Sequence, residues 1–251
     1  MHADSRHEGR NAYLDLIKRL ITNYAYLGGD NSFAAFNAQR HYDLDKNQWR
    51  IDPLSRPMTL LSLGQLDIIE TAVLDLEQRG IDGDYIEAGI WRGGAIIFMR
   101  ALLNAHNIEK RQIIASDSFQ GIPQNVIFKH DPVDEWQDRW SASLEEVKGN
   151  AERLGLLDAR IEFLPGFFAD SLGEISHRRF ALIRLDSDSH DSVMTSLEHL
   201  YPLLAPGGII IIDDWHLVGC RFAVNTYREQ HAITDEISAR DGNAYWIKGS
   251  G

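Results

Sequence analysis

Basic residues are in short supply. The 251-residue chain sets 25 lysines and arginines against 37 aspartates and glutamates, a formal charge of -12 at pH 7. Phosphate backbones and anionic membrane surfaces recruit partners with a basic footprint, so the expectation is no nucleic acid and no membrane partner. Cysteine is reduced to Cys220 alone, which rules out an internal disulfide and fits a reducing compartment. No apolar run approaches the roughly 20 residues of a membrane span. The opening stretch MHADSRHEGRNAYLDL lacks the unbroken apolar core of a secretory leader. A cytoplasmic protein is the expectation. Internal repeats and low-complexity tracts are also missing, and so is the GxGxxG spacing of a dinucleotide-binding loop.

What is present is enough apolar material for a sizeable core, 44% of the chain. Leu14, Ile17, Leu20, Ile21 and Tyr24 recur at helical spacing between Asn11 and Leu27. A second helical pattern runs from Thr59 to Gln78, with Gly80 placed to stop it. The stretch between them has aromatic residues without a period and reads as an irregular connection or a flap. From Asp84 the pattern changes. DYIEAG, RQIIASD, RIEFLPG, FALIRLD and GGIIIIDD are short apolar runs separated by helix-like segments. Strands apolar on both sides and alternating with helices predict a parallel sheet covered on both faces, a doubly wound Rossmann-like α/β fold. Asp241-Gly242 lies between two candidate strands and predicts a C-terminal antiparallel hairpin. The expected division is a helical extension or cap over 1–80 and a ligand-binding α/β domain over 81–251.

Open α/β sheets bind ligands beyond the carboxyl ends of their strands, so the chemistry is sought where the apolar runs stop. The first stop is EAGIWRGG, Glu87 to Gly94. Its glycines suit either close backbone approach to a ligand at a helix N-terminus or a tight turn with no ligand. Glu87 at the loop mouth repels a pyrophosphate and attracts an ammonium or sulfonium group. Asp117 ends the next run, where an acid commonly binds ribose hydroxyls, although a cap or turn role is the plain alternative. A ribose near a positive charge describes S-adenosylmethionine better than NAD.

The acids of RLDSDSHDS and IIIIDDW end two further runs. If those strands are neighbours, Asp186, Asp188, Asp213 and Asp214 project from one edge and repel one another unless a cation joins them. Hard oxygen ligands with positions left for water or substrate suit magnesium. If Asp186-Ser187-Asp188 is still extended, its two carboxylates face one side. One then holds metal while the other reaches substrate.

EAGIWRGG, ASDSFQGIP, RLDSDS, SLEEVKGNAERLGLLDARIEFLPGFF and GGIIIIDDWHLVGCRFAVNTYREQHAI, in that order, resemble the TylF-type macrocin O-methyltransferases, over most of the chain from Thr59 onward. The resemblance implies a class I methyltransferase acting on sugar hydroxyls in natural-product biosynthesis, with S-adenosylmethionine and Mg2+. It also implies a small-molecule glycoside as partner and a homo-oligomer, a dimer on the commonest pattern. It assigns Thr59, Glu87, Ala88, Gly89, Trp91, Gly93, Asp117, Ser118 and Asp186 to the cofactor. Asp186, Asp213 and Asp214 become metal ligands and Asp188 the general base. His190 stands at about the place where the family usually has tyrosine, and His216 follows Trp215 where the family commonly has DDY; the two histidines form a candidate substrate rim. Ser62 and Gln65 replace a glycine and an arginine.

Other readings remain open at this level. Mixed Asp and His ligation suits a metal-dependent hydrolase, and the fold suits an NAD-linked oxidoreductase or a noncatalytic nucleotide-binding module. Cys220 reads as helix packing, and Arg221 as a partner for an acid near the site. The segment IPQNVIFKHDPVDEWQDRW, with Phe128, Trp136 and Trp140, reads as a substrate lid or a packed loop.

Overall fold

The computed structural model describes residues 2–27, 40–43, 48–51, 57–123, 128, 129, 131 and 140–249. Helix α1 (His2–Ile21) and the single turn α2 (Tyr24–Leu27) divide the stretch expected to be one helix, because Asn23 takes a left-handed φ of 57°. Leu14, Ile17 and Ile21 of α1 belong to the same core as the sheet. Within the segment expected to be irregular, β1 (Arg40–Asp43) and β2 (Gln48–Ile51) pair antiparallel, Arg40 opposite Ile51. The remainder of that proposed flap lies outside the described residues.

Helix α3 (Leu63–Arg79) begins at a reciprocal cap. Ser62 Oγ accepts the Gln65 amide at 3.1 Å while Gln65 Oε1 accepts the Ser62 amide at 2.8 Å. The two residues that the resemblance marks as replacements thus work as a pair. Gly80, at φ 65°, closes the helix as expected.

The sheet then alternates with helices: β3 (Asp84–Ala88), α4 (Gly94–Ala105), β4 (Ile113–Asp117), α5 (Leu144–Arg153), β5 (Ile161–Pro165), α6 (Phe168–Ser171) and β6 (Phe180–Leu185). It continues through α7 (His190–Leu200), β7 (Leu204–Ile212), α8 (Val218–Gln230), β8 (Ser238–Arg240) and β9 (Asn243–Ile247). The strand order is β5-β4-β3-β6-β7-β9-β8. The first five are parallel, and the β8-β9 hairpin adds an antiparallel edge. Asp241 at φ 51° and Gly242 at φ 83° make its turn. Side chains alternate between two cores. Tyr85, Ile113, Leu182 and Ile211 pack under α1, α3 and α4, whereas Ile86, Ile114, Ile183 and Ile210 pack under α7 and α8.

The chain winds from β3 outward to β5, then returns to place β6 on the other side of β3. That reversal opens a crevice at the carboxyl ends of β3 and β6. Among the described residues no helix is long and apolar enough to cross a membrane.

Candidate active site

The parallel register sets Glu87 of β3 beside Arg184 of β6. Each is 1% exposed. Arg184 Nη1 donates to Glu87 Oε1 and, at 3.0 Å, to Asp186 Oδ2, while Nη2 lies 2.6 Å from Asp213 Oδ1. The cation nearest Glu87 is therefore part of the protein, and it occupies only one of the two carboxylate oxygens. Its second oxygen, Oε2, is buried with no hydrogen-bond partner among the described residues. Burial pushes Glu87 up to about 8, Arg184 opposing and Asp186 adding to the rise. Arg184 was missed in the sequence. Its signal was there, a lone charge inside the apolar run FALIRL, every residue of which is buried.

The glycines of the next loop serve close approach between chain segments. Gly89, at φ 89°, lies so near β6 that a Cβ there would overlap the Asp186 carbonyl. A Cβ on Gly93, which caps α4 at φ 83°, would stand 2.7 Å from Val147 Cγ1. The Gly94 amide donates to Met58 O at 2.9 Å, bringing Thr59 over the start of α4. Thr59 Oγ1 accepts the Leu61 amide at 3.2 Å. Trp91 sits at φ 44°, with Trp140 edge-on at 5.9 Å.

Asp117 has a turn role in full. Oδ2 accepts the amides of Ile90 at 2.8 Å and Trp91 at 3.1 Å, and Oδ1 accepts that of Phe119 at 2.8 Å. It thereby ties the glycine loop to the end of β4 and still faces the cavity. Burial raises its pKa against those three donors. Ser118 closes its own turn, donating to Gly121 O at 2.7 Å and accepting from Gln120 at 3.0 Å.

β6 and β7 are neighbours, so their acidic ends meet. Carboxylate oxygens of Asp186, Asp188 and Asp214 lie within 4.8 Å of one another. The strand stops at Leu185, and Asp188 reaches the others through a left-handed turn at φ 55° rather than along an extended strand. Its amide donates to Asp214 Oδ2 at 3.3 Å, and Cys220 Sγ donates to its carbonyl at 2.9 Å. Burial and mutual repulsion push Asp186 up to about 7 and Asp188 and Asp214 well above the usual carboxylate range. Such a group fits a hard divalent cation. Asp213 stands apart from this trio. Asn243 Nδ2 donates to its Oδ1 at 2.7 Å on the side where Arg184 also binds. The geometric trio thus has Asp188 where the resemblance names Asp213.

His190 opens α7. Its amide donates to Asp131 Oδ2 at 2.7 Å, its Nδ1 lies 2.8 Å from Asp191 Oδ1, and its ring stacks on Phe128 at 4.5 Å and 11°. Phe222 of α8 stacks on Phe128 at 5.5 Å. Phe128 thus brings the proposed lid segment against α7 and α8, while its Trp136 lies outside the described residues. His216 is exposed at the rim, Cys220 is fully buried with its thiol pushed up by burial, and Arg221 is exposed on α8.

Many of these residues line one cavity of about 1260 Å³. That exceeds the roughly 300–1,000 Å³ of a single small-ligand pocket and leaves room for two ligands. Thr59, Glu87, Asp117 and Trp91 line it together with Asp186, Asp188, Asp213, Asp214, His190 and His216. Among the described residues lining it there is no lysine or arginine.

Residues 10–248 match the family model described as Macrocin-O-methyltransferase (TylF). The chain is 38% identical over 245 residues to the 8-demethyl-8-(2,3-dimethoxy-alpha-L-rhamnosyl)-tetracenomycin-C 4'-O-methyltransferase of Streptomyces olivaceus, covering 95% of this chain and 93% of that one. It is 35% identical over 247 residues to the mycinamicin III 3''-O-methyltransferase of Micromonospora griseorubida, covering 95% and 96%. The solved structure of the O-methyltransferase NovP superposes with a TM-score of 0.81 at 31% identity, covering 96% of this chain and 99% of that one.

Proposed function

The chain belongs to the macrocin-O-methyltransferase (TylF) family and is an O-methyltransferase; from that premise we propose that it methylates a sugar hydroxyl of a glycosylated natural product in an antibiotic-type pathway, using S-adenosylmethionine and Mg2+. The observation that carries this reading is one cavity holding both an orphaned buried carboxylate oxygen at Glu87 and the acid trio of Asp186, Asp188 and Asp214. Family membership removes the ground for the hydrolase, the oxidoreductase and the noncatalytic module.

When bound, S-adenosylmethionine supplies a methyl group on a positively charged sulfur, and Mg2+ supplies positive charge that acidifies a nearby hydroxyl. On the protein's side, Glu87 would offer its unpartnered Oε2 to the donor's ammonium. Asp117 and Ser118 hold the ribose side, and Trp91, Ala88, Gly89 and Gly93 shape the loop against it. Thr59 closes the methionine end. Asp186, Asp213 and Asp214 are the proposed metal ligands. Asp188, held by Asp214 and Cys220, takes the proton from the acceptor hydroxyl as the oxygen attacks. No acid is needed for the leaving group, which departs as a neutral thioether.

The lining supports an uncharged acceptor. A sugar still carrying a nucleoside diphosphate would bring phosphates into a cavity lined by many carboxylates and, among the described residues, by no lysine or arginine. Calorimetric titration with S-adenosylhomocysteine and with NAD tests the cofactor: binding of NAD alone would overturn it. Mass spectrometry of a glycoside acceptor, with and without chelator, then tests both methyl gain and the metal. The assembly expected is a homodimer, which light scattering on the purified chain measures.

A further inference from the structure

Arg184 contacts the metal site through its own proposed ligands. Its Nη1 and Nη2 are spent on Asp186 Oδ2 at 3.0 Å and Asp213 Oδ1 at 2.6 Å, and Nη1 is shared with Glu87. Arginine is almost never this deeply buried without partners, and here all three partners are functional acids. A guanidinium acting only as a strut would find carbonyls or acids outside the site, as Arg111 does with Glu77 Oε1 at 2.6 Å and Ile81 O at 2.5 Å. The central position of β6 leaves Arg184 no route to solvent. Its charge is therefore a fixed component of the acid cluster. A divalent ion entering the cluster meets carboxylates already partly neutralised, and a positive charge behind them.

We propose that Arg184 is the resident counter-cation of the acid cluster: it neutralises Asp186 and Asp213 before a divalent ion is taken up, and its charge then limits how tightly that ion is held. The inference rests on the metal reading above. Arg184 does not touch the acceptor and acts through the carboxylates it contacts, so it is a positioning residue. Keeping the ion weakly held suits a site where the ion and the acceptor must both enter and leave.

The test is Mg2+ calorimetry and thermal melting with and without Mg2+ on the full chain, comparing wild type with Arg184→Met/Glu87→Gln and with Arg184→Lys. The glutamine avoids leaving Glu87 as an orphaned buried charge. The double variant is expected to melt lower in chelator and to gain more from Mg2+ than wild type. Removing a unit charge so near a divalent ion is expected to tighten the Mg2+ Kd about tenfold. A double variant that binds Mg2+ more weakly, or gains no more from it, overturns the proposal, because a guanidinium that merely orders the site would behave that way. Folding of the double variant only with Mg2+ present supports it, since the ion then replaces the lost cation. If the double variant folds in neither condition, Arg184→Lys decides. A Kd within about threefold of wild type supports a role of charge, and one more than about tenfold weaker overturns it in favour of the fork's geometry. Wild type that takes up no Mg2+ sinks the metal reading itself, an outcome distinct from each of these.

Discussion

Gly89 and Asp186 sit so close that a Cβ on the glycine would overlap the aspartate's carbonyl oxygen. The glycine loop and the acid-bearing strand are thus held back to back, with the Asp186 amide donating to Ala88 O at 2.9 Å. Gly89→Ala adds that overlap to the strain of φ 89°. The expected loss is about 3 kcal/mol or more, read as a drop in melting temperature. Gly173, with nothing within 4 Å of a built Cβ, is the control, and its alanine variant is expected within about 0.5 kcal/mol of wild type. Equal effects at the two sites would refute the steric account.

Asp188 and Asp213 exchange places between the geometric trio and the proposed ligand set. Asp188→Asn is expected to lower kcat by about 10²–10⁴-fold as a lost general base, with Mg2+ binding by calorimetry retained. Asp214→Ala is expected to lose Mg2+ binding. Should Asp188→Asn abolish Mg2+ binding as well, Asp188 is a ligand and the base must be sought elsewhere.

The ring of His190 lies flat on Phe128 at 4.5 Å and 11°. Stacking is the role this geometry supports. His190→Phe is expected to keep kcat within about threefold, whereas His190→Ala and Phe128→Ala each raise the acceptor KM by about two- to tenfold, the worth of one aromatic pair. A large kcat loss in His190→Phe at unchanged KM would instead give the imidazole a part in proton transfer.

Metal-free stability should decline with rising pH. Folding raises Asp186 from 3.8 to about 7 and Glu87 from 4.5 to about 8. Between about pH 4 and pH 8 the unfolded chain has therefore released protons that the folded chain still holds, so each step up in pH favours unfolding until both groups are ionised. In chelator the melting temperature is expected to fall across this window. Saturating Mg2+ is expected to replace the protons on the cluster and so lessen the slope, with its largest stabilisation near pH 8. Parallel slopes with and without Mg2+ would show that the cluster does not exchange protons for the ion.

Much of this architecture was legible along the chain, because it is local. Two-sided apolar runs alternating with amphipathic segments can bury themselves only as a covered parallel sheet. Gly80 and Asp241-Gly242 occupy left-handed positions that glycine and aspartate tolerate. The acids at the ends of FALIRLD and GGIIIIDD were equally visible, since a strand's carboxyl end is where its periodicity stops. What depended on tertiary structure was pairing across distance. The strand order puts β6 beside β3, and only then does Arg184 meet Glu87 across 97 positions of sequence. Likewise Asn243, from the C-terminal hairpin, holds Asp213, and Asp131 reaches His190 from the far loop. The apolar run FALIRL puts Arg184 on a strand, but its burial and the carboxylates that give its charge a purpose come only from the sheet's register.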